Sequence, residues 1–230
     1  MKKSMAAFFL ILTFTAGGFA KEGQLQKATN VLNEIMRTPD KGIPHDLMEK
    51  AVCIGIVPSQ LTGAFFVGGS YGRGVLVCRE HGKGPWGAPS LFTLGSGSFG
   101  LQIGAKATDV VFMVMNPEGA RKLIRDDVKL GGELSVAAGP VGRSAEGATD
   151  AQLHAEILSY SRTRGVFAGM SLDGAFVKQD KGDNEKLYGR KVTARQILIN
   201  CAVAAPPQAR PLRNALARYS PPGVRSTVLL

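Results

Sequence analysis

Residues 67–80 read VGGSYGRGVLVCRE, and within them Gly68-Gly69-Ser70-Tyr71-Gly72 has the form G-x-S-x-G. That pattern marks the nucleophile elbow of α/β hydrolases, where a serine sits on a sharp turn from strand to helix. It is also what a glycine-rich strand looks like. The residues that follow decide between them. Arg73-Gly74-Val75-Leu76-Val77 adds another glycine and then a β-branched run, a poor way to start a helix. An elbow also needs a histidine and an acid supplied by separate loops. Asp150 and His154 follow Ser70 but stand only four residues apart. The stretch is therefore read as strand. Its glycines become positions where a neighbouring backbone or a bulge leaves no room for a side chain.

Outward from this stretch the pattern stays β. AVCIGIVP (51–58), TGAFFVGGSYG (62–72), GVLVCRE (74–80), SLFTLGSGSFGLQIG (90–104) and ATDVVFMVMN (107–116) read as successive strands broken by turn residues. Their spacing predicts an antiparallel meander. VVFMVM (110–115) is apolar on both faces and predicts a central strand covered on both sides. Helices are expected at both ends. Leu25, Ala28, Leu32, Ile35 and Met36 recur at helical spacing over 24–37, and a short helix with Pro44 in its first turn follows. Asn116-Pro117 caps a third, while Thr193–Ala202 and Arg210–Arg218 read as two more. Residues 151–158 read as short helix or strand, 157–177 as two strands around Arg162–Gly165, and Lys178–Lys186 as a polar loop. The fold class expected is α+β: a strongly curved antiparallel sheet or partial barrel, with helices packed at its N- and C-terminal ends.

The chain opens MKKSMAAFFLILTFTAGGFAKE, with two lysines, an apolar run, and Gly18 and Ala20 at −3 and −1 of a cleavage point. This reads as a secretory signal peptide over 1–20. A single domain over 21–220 (core 43–200) and a flexible tail from 221 to 230 are expected to follow. Removing Lys2 and Lys3 takes the formal charge from +10 to +8, which suits an anionic partner without choosing one. Cys53, Cys78 and Cys201 are too few for a disulfide scaffold. They read as buried thiols, with a Cys53–Cys78 bridge in an oxidising compartment left open. With no C-x-x-C and with His45, His81 and His154 far apart, no metal or other cofactor is expected. A phosphate-binding loop is absent. Gly139-Pro140-Val141-Gly142-Arg143 is read as a tight turn or a small anion nest, and Trp86 as a core cap or an interfacial platform.

The order of several short motifs carries a resemblance. These are A-x-C-I-G-I-V-P at 51–58, G-G-S-Y-G-R-G-V-L-V-C-R at 68–79, G-P-W-G-A-P at 84–89 and G-S-F-G-L-Q-I-G at 97–104. D-V-V at 109–111, L-S-V-A-A-G-P-V-G-R at 134–143, Y-S-R-T-R-G-V-F-A-G-M-S-L-D-G at 160–174 and Leu187-Tyr188-Gly189 continue it. Together they resemble the SYLF domain, also called the Ysc84 actin-binding or DUF500 family. The resemblance implies a non-enzymatic, lipid-binding domain attached through a basic, amphipathic N-terminal region, with actin binding in some eukaryotic members. Combined with the leader, it points to a cell-envelope protein, periplasmic or secreted, whose partner is anionic phospholipid rather than nucleic acid. The expected mechanism puts the apolar face of 25–36 into the headgroup boundary. Lys27, Arg37, Lys41, Arg73, Arg79 and Arg143 are the candidate lipid-facing cations, and no catalytic residue is expected.

Overall fold

The structure, a computed structural model, describes residues 19–37, 42–65, 67–99, 104–142, 149–163 and 165–221. Two helices come first, α1 (Phe19–Met36) and α2 (His45–Lys50). Four long strands follow, β1 (Cys53–Phe65), β2 (Val67–Arg79), β3 (Trp86–Phe99) and β4 (Gly104–Val114). After them come α3 (Pro117–Leu123), β5 (Val128–Lys129), β6 (Val136–Ala138), α4 (Asp150–His154), β7 (Ile157–Thr163), β8 (Val166–Gly169) and β9 (Phe176–Gln179). The chain closes with α5 (Lys181–Tyr188), α6 (Ala194–Leu198) and α7 (Arg210–Tyr219).

The strands form one strongly curled half-barrel sheet in the order β5-β9-β3-β2-β1-β4-β7-β6, with β8 on β7. The fold is α+β, as expected, but the meander is not. β4 returns beside β1 instead of β3, the 4-1-2-3 order of a Greek key. β6 pairs in parallel with β7.

Each strand covers two cores by simple alternation. Ile54, Ile56, Val75, Val77, Leu91, Val111 and Met113 face α1, α2 and α7. Cys53, Val57, Leu76, Phe92, Leu94, Val110 and Phe112 face the other way, toward α3 and α6. β4 is therefore central, and Val110 to Val114 are all fully buried.

Glycine sets how closely the strands' side chains pack. Gly55 pairs with Phe112, Gly74 with Phe92 and Gly95 with Phe176, each directly across a strand boundary. A Cβ at Gly55 would lie 2.1 Å from the Phe112 ring, and one at Gly74 would lie 2.3 Å from that of Phe92. The partner's phenyl ring thus lies over each glycine, and Phe92 and Phe112 meet edge to face at 5.6 Å. A bulge in β1 then re-aims the sheet. The register shifts between Val57 and Gln60, and Ser59 takes a left-handed φ of 52°. Beyond it, β1 to β4 run on past the helices as a blade.

Further expectations meet the structure here. Lys178–Lys186 is not a loop. β9 extends to Gln179, and α5 begins where Asp180 accepts from the Asp183 N–H and ends at left-handed Gly189. Asn184, 1% exposed, docks this helix by bonding both the N–H and the carbonyl of Leu91. Cys53 and Cys78 form a disulfide between β1 and β2, while Cys201 is free. The two strands read around Arg162–Gly165 are β7 and β8, an antiparallel pair, and a third, β9, begins at Phe176.

Gly55→Ala is expected to cost about 1–3 kcal/mol in urea unfolding, because the Phe112 ring has no room to retreat. Gly97→Ala, whose Cβ meets nothing within 4 Å, should leave the midpoint unchanged or slightly higher. Replacing Cys53 and Cys78 together by Ser should lower stability by about 3.5 kcal/mol, the chain-entropy value for a sequence separation of 25. The same loss should appear when the native protein is reduced.

Candidate functional site

Ser70 is bound within a hydroxyl chain. Gln60 Nε2 donates to Ser70 Oγ at 2.8 Å, and Ser70 Oγ lies 2.8 Å from Ser96 Oγ on β3. Strand continues on both sides of it, and no histidine takes part. Gly72 lets β2 approach Val57 and Gln60 of the bulge, where its Cβ would sit 2.5 Å from Val57. G-x-S-x-G is here a strand motif, and Ser70 joins neighbouring strands. Among the described residues no group of histidines, cysteines and carboxylates has the arrangement of a metal site.

The expected lipid-facing helix is otherwise engaged. Leu25, Ala28, Val31, Leu32, Ile35 and Met36 of α1 are all buried in the core against β1, β2 and α7. Their face is not available to a headgroup layer, because folding has already removed it from water. Arg162 on β7 clips the helix in place, bonding Glu34 of α1 and Asp109 of β4. Lys27 and Arg37 remain exposed on the outer side of α1. Lys41 and Arg143 lie outside the described residues.

Arg79 is not a surface cation. It is 4% exposed and stacks on Trp86 with its guanidinium carbon 4.3 Å from the ring centroid. Its donors reach the carbonyls of Ala51 at 3.2 Å, Gly84 at 3.2 Å and Ser220 at 3.1 Å. Burial pushes its pKa down, and the charge of Glu49 opposes the shift. Trp86 Nε1 also donates to the Ser220 carbonyl at 3.0 Å, and Ser220 Oγ donates to Met48 O. Trp86 is accordingly a core residue. Ser220, the last residue of the expected domain before its flexible tail, is fully buried. Sequence reasoning missed this cluster because its partners lie 141 residues apart.

Arg73 is presented outward. Its side chain is 59% exposed and pairs with Asp183 at 3.3 Å. The Tyr71 hydroxyl beside it and then Asp183 hold its pKa above the ordinary value. Register puts Arg73 opposite Thr93, and Thr93 opposite Lys178 of β9, so two exposed cations share one cross-strand row. Lys178 escapes sequence reasoning, since its segment has the composition of a loop. A recess of about 480 Å³ opens beside it, lined by Thr93, Asp126, Asp127, Lys178, Gln179, Asp180 and Lys181. Both its lysines are paired, Lys181 to Asp126 at 2.7 Å and Lys178 to Asp127 at 3.6 Å, while Asp180 caps α5. The recess is charged, and among its lining residues no nucleophile stands beside a base.

The protein-family model described as "Ysc84: Las17-binding protein actin regulator" matches residues 95–219. Protein YSC84 of Saccharomyces cerevisiae is 33% identical over 203 residues, covering 85% of this chain and 43% of the relative. LAS seventeen-binding protein 3 of the same yeast is 33% identical over 204 residues, covering 85% and 44%. The human SH3 domain-containing YSC84-like protein 1 is 31% identical over 205 residues, covering 86% and 59%. The chain thus spans less than half of the two yeast relatives.

Arg79→Ala is expected to destabilise by about 3 kcal/mol, since it leaves several buried carbonyls without donors. Arg79→Lys should not restore the loss, because an ammonium lacks the planar fork that both stacks and reaches three carbonyls. Arg73→Ala should stay within about 0.5 kcal/mol of the parent. Thermal or urea melts of the three variants check the order.

Proposed function

Since the chain belongs to the Ysc84 (SYLF) family, we propose that it is a non-catalytic binding domain, exported to the cell envelope, whose partner is an anionic phospholipid surface. The observation that carries this is the contrast within one stretch of β2. Ser70 is held inside a hydroxyl chain, while Arg73, three residues on, stands 59% exposed in line with Lys178. The formal charge, +10 for the whole sequence and +8 without Lys2 and Lys3, has the sign this partner requires. Each cation near an anionic bilayer contributes about 1 kcal/mol. Lys27 and Arg37 add to the attraction from the outer side of α1. Export is supported by the leader-like opening sequence and by the Cys53–Cys78 bridge, since disulfides persist mainly in oxidising compartments. Attachment in this reading is through surface cations and is peripheral; no described helix is long and apolar enough to cross a membrane.

A second reading comes from the family description, which names an actin regulator. On that reading the chain is a secreted protein that binds actin filaments.

The test is vesicle flotation with the protein lacking residues 1–20. Binding is expected to phosphatidylglycerol–phosphatidylcholine vesicles at low salt and not to phosphatidylcholine alone. Arg73→Glu with Lys178→Glu should weaken it several-fold. Equal binding to both vesicles, or to neither, overturns the reading. Co-sedimentation with filamentous actin separates the alternative, for which pelleting independent of lipid is the signature.

A further inference from the structure

Three of the large apolar side chains that the described fold leaves exposed stand in one line. Leu61 is 62% exposed, Tyr71 54% and Phe176 42%. They belong to three different strands, yet register joins them through their neighbours. Phe176 pairs with Gly95, Gly95 with Tyr71, Tyr71 with Leu61, and Leu61 with Ala107. Directly paired residues point to the same face of a sheet. The row therefore crosses five strands, about 19 Å at about 4.8 Å per step. A scattered exposed leucine needs no explanation, but an aligned row is a patch.

The next row outward is made of small residues. Gly63 pairs with Gly69 and with Ala105, and Gly69 with Gly97. Gly97 is informative because the fold does not require it. A Cβ there meets nothing within 4 Å, and its φ is not left-handed. Glycine weakens a strand interior, so its use at an uncrowded position points to something outside the chain that approaches the backbone. The opposite face of the blade is polar, with Thr62, Ser70 and Ser96 in one row.

The row next inward carries the charge, Lys178–Thr93–Arg73. Rows on one face lie two residues apart, about 7 Å. That offset matches the depth of about 5–10 Å to which interfacial elements bury apolar groups below the headgroups. Tyr71, with an apolar ring and a hydroxyl beside Arg73, lies at the boundary as an interfacial aromatic does. The pairs Arg73–Asp183 and Lys178–Asp127 are exposed on the cation side and weak enough to exchange for lipid phosphate.

The geometry points to the α1-side face of the β1–β4 blade and β9, beyond the helix and not α1 itself, as the surface that enters an anionic bilayer, with Leu61, Tyr71 and Phe176 in the acyl boundary and Arg73 and Lys178 at the phosphates. This rests on the anionic-lipid reading above and assigns its surface.

Salt separates the two contributions. At about 1 M salt the Debye length falls to about 3 Å, so screening removes cation attraction and leaves apolar insertion. The wild-type protein should keep measurable binding to phosphatidylglycerol–phosphatidylcholine vesicles at high salt. Leu61→Ser with Tyr71→Ser should reduce that residual binding at least about tenfold while keeping most low-salt binding. Tyr71→Trp gives an independent reading in a folded protein, since Trp86 is buried. The emission of the introduced indole should shift to the blue on vesicles and be quenched by brominated acyl chains. Low-salt binding that vanishes at high salt, or an introduced indole that stays unquenched, overturns insertion while sparing the electrostatic reading. No binding by wild type overturns both. If the double substitution instead turns a dimer into a monomer and leaves vesicle binding intact, the face contacts a second copy and the inference fails.

Discussion

The sheet depends on a steric fit between glycine and phenylalanine on neighbouring strands. Gly55 faces Phe112, Gly74 faces Phe92 and Gly95 faces Phe176 in direct register. The tip of each ring lies over its partner, which has no Cβ to meet it. This fixes register, since a slip of one residue would put the ring against a side chain and turn every buried group to the wrong face. It also thins the layer, letting α3 and α6 close over one face while α1, α2 and α7 cover the other. The third pair differs from the first two. Phe92 and Phe112 are fully buried, whereas Phe176 lies at the margin with its ring partly in solvent. The device that builds the core thus continues to the edge of the blade and supplies one end of its apolar row.

Much of this is legible in the sequence. Two glycines after Ser70, followed by Val-Leu-Val, exclude a helix start on local grounds, and the structure shows strand throughout 67–79. VVFMVM announces a doubly covered strand because it has no polar face. The α1 pattern announces a helix just as clearly. What periodicity leaves open is which apolar surface receives the helix, since a lipid layer and a protein core require the same stripe. Leu32 at 0% exposed and Ile35 at 3% give the answer, and it is the core.

What is illegible has physical reasons. Arg79 looks like an edge cation because it ends a strand, but the groups that bury it arrive at Ser220, far along the chain. α5 looks like a loop because KGDNEK has hardly an apolar residue, and it is held instead by the amide of Asn184 against the backbone of Leu91. Its cap at Asp180 and stop at Gly189 are present in the sequence, but composition outweighs them. The apolar row is hidden for another reason. Leu61, Tyr71, Gly95 and Phe176 are distant in sequence, and only the register past the β1 bulge lines them up.

The cluster at Arg79 also orders events in time. A guanidinium buried against Trp86 is tolerable only when Ser220 and its neighbour have arrived to accept its hydrogen bonds. Until the last turn of α7 has been synthesised, the face of the sheet around Trp86 stays open and its charge stays hydrated. The clasp is therefore completed only by the end of the domain. The residues that close this face of the sheet thus come from opposite ends of the domain, and a truncation before Ser220 would leave a buried guanidinium short of acceptors.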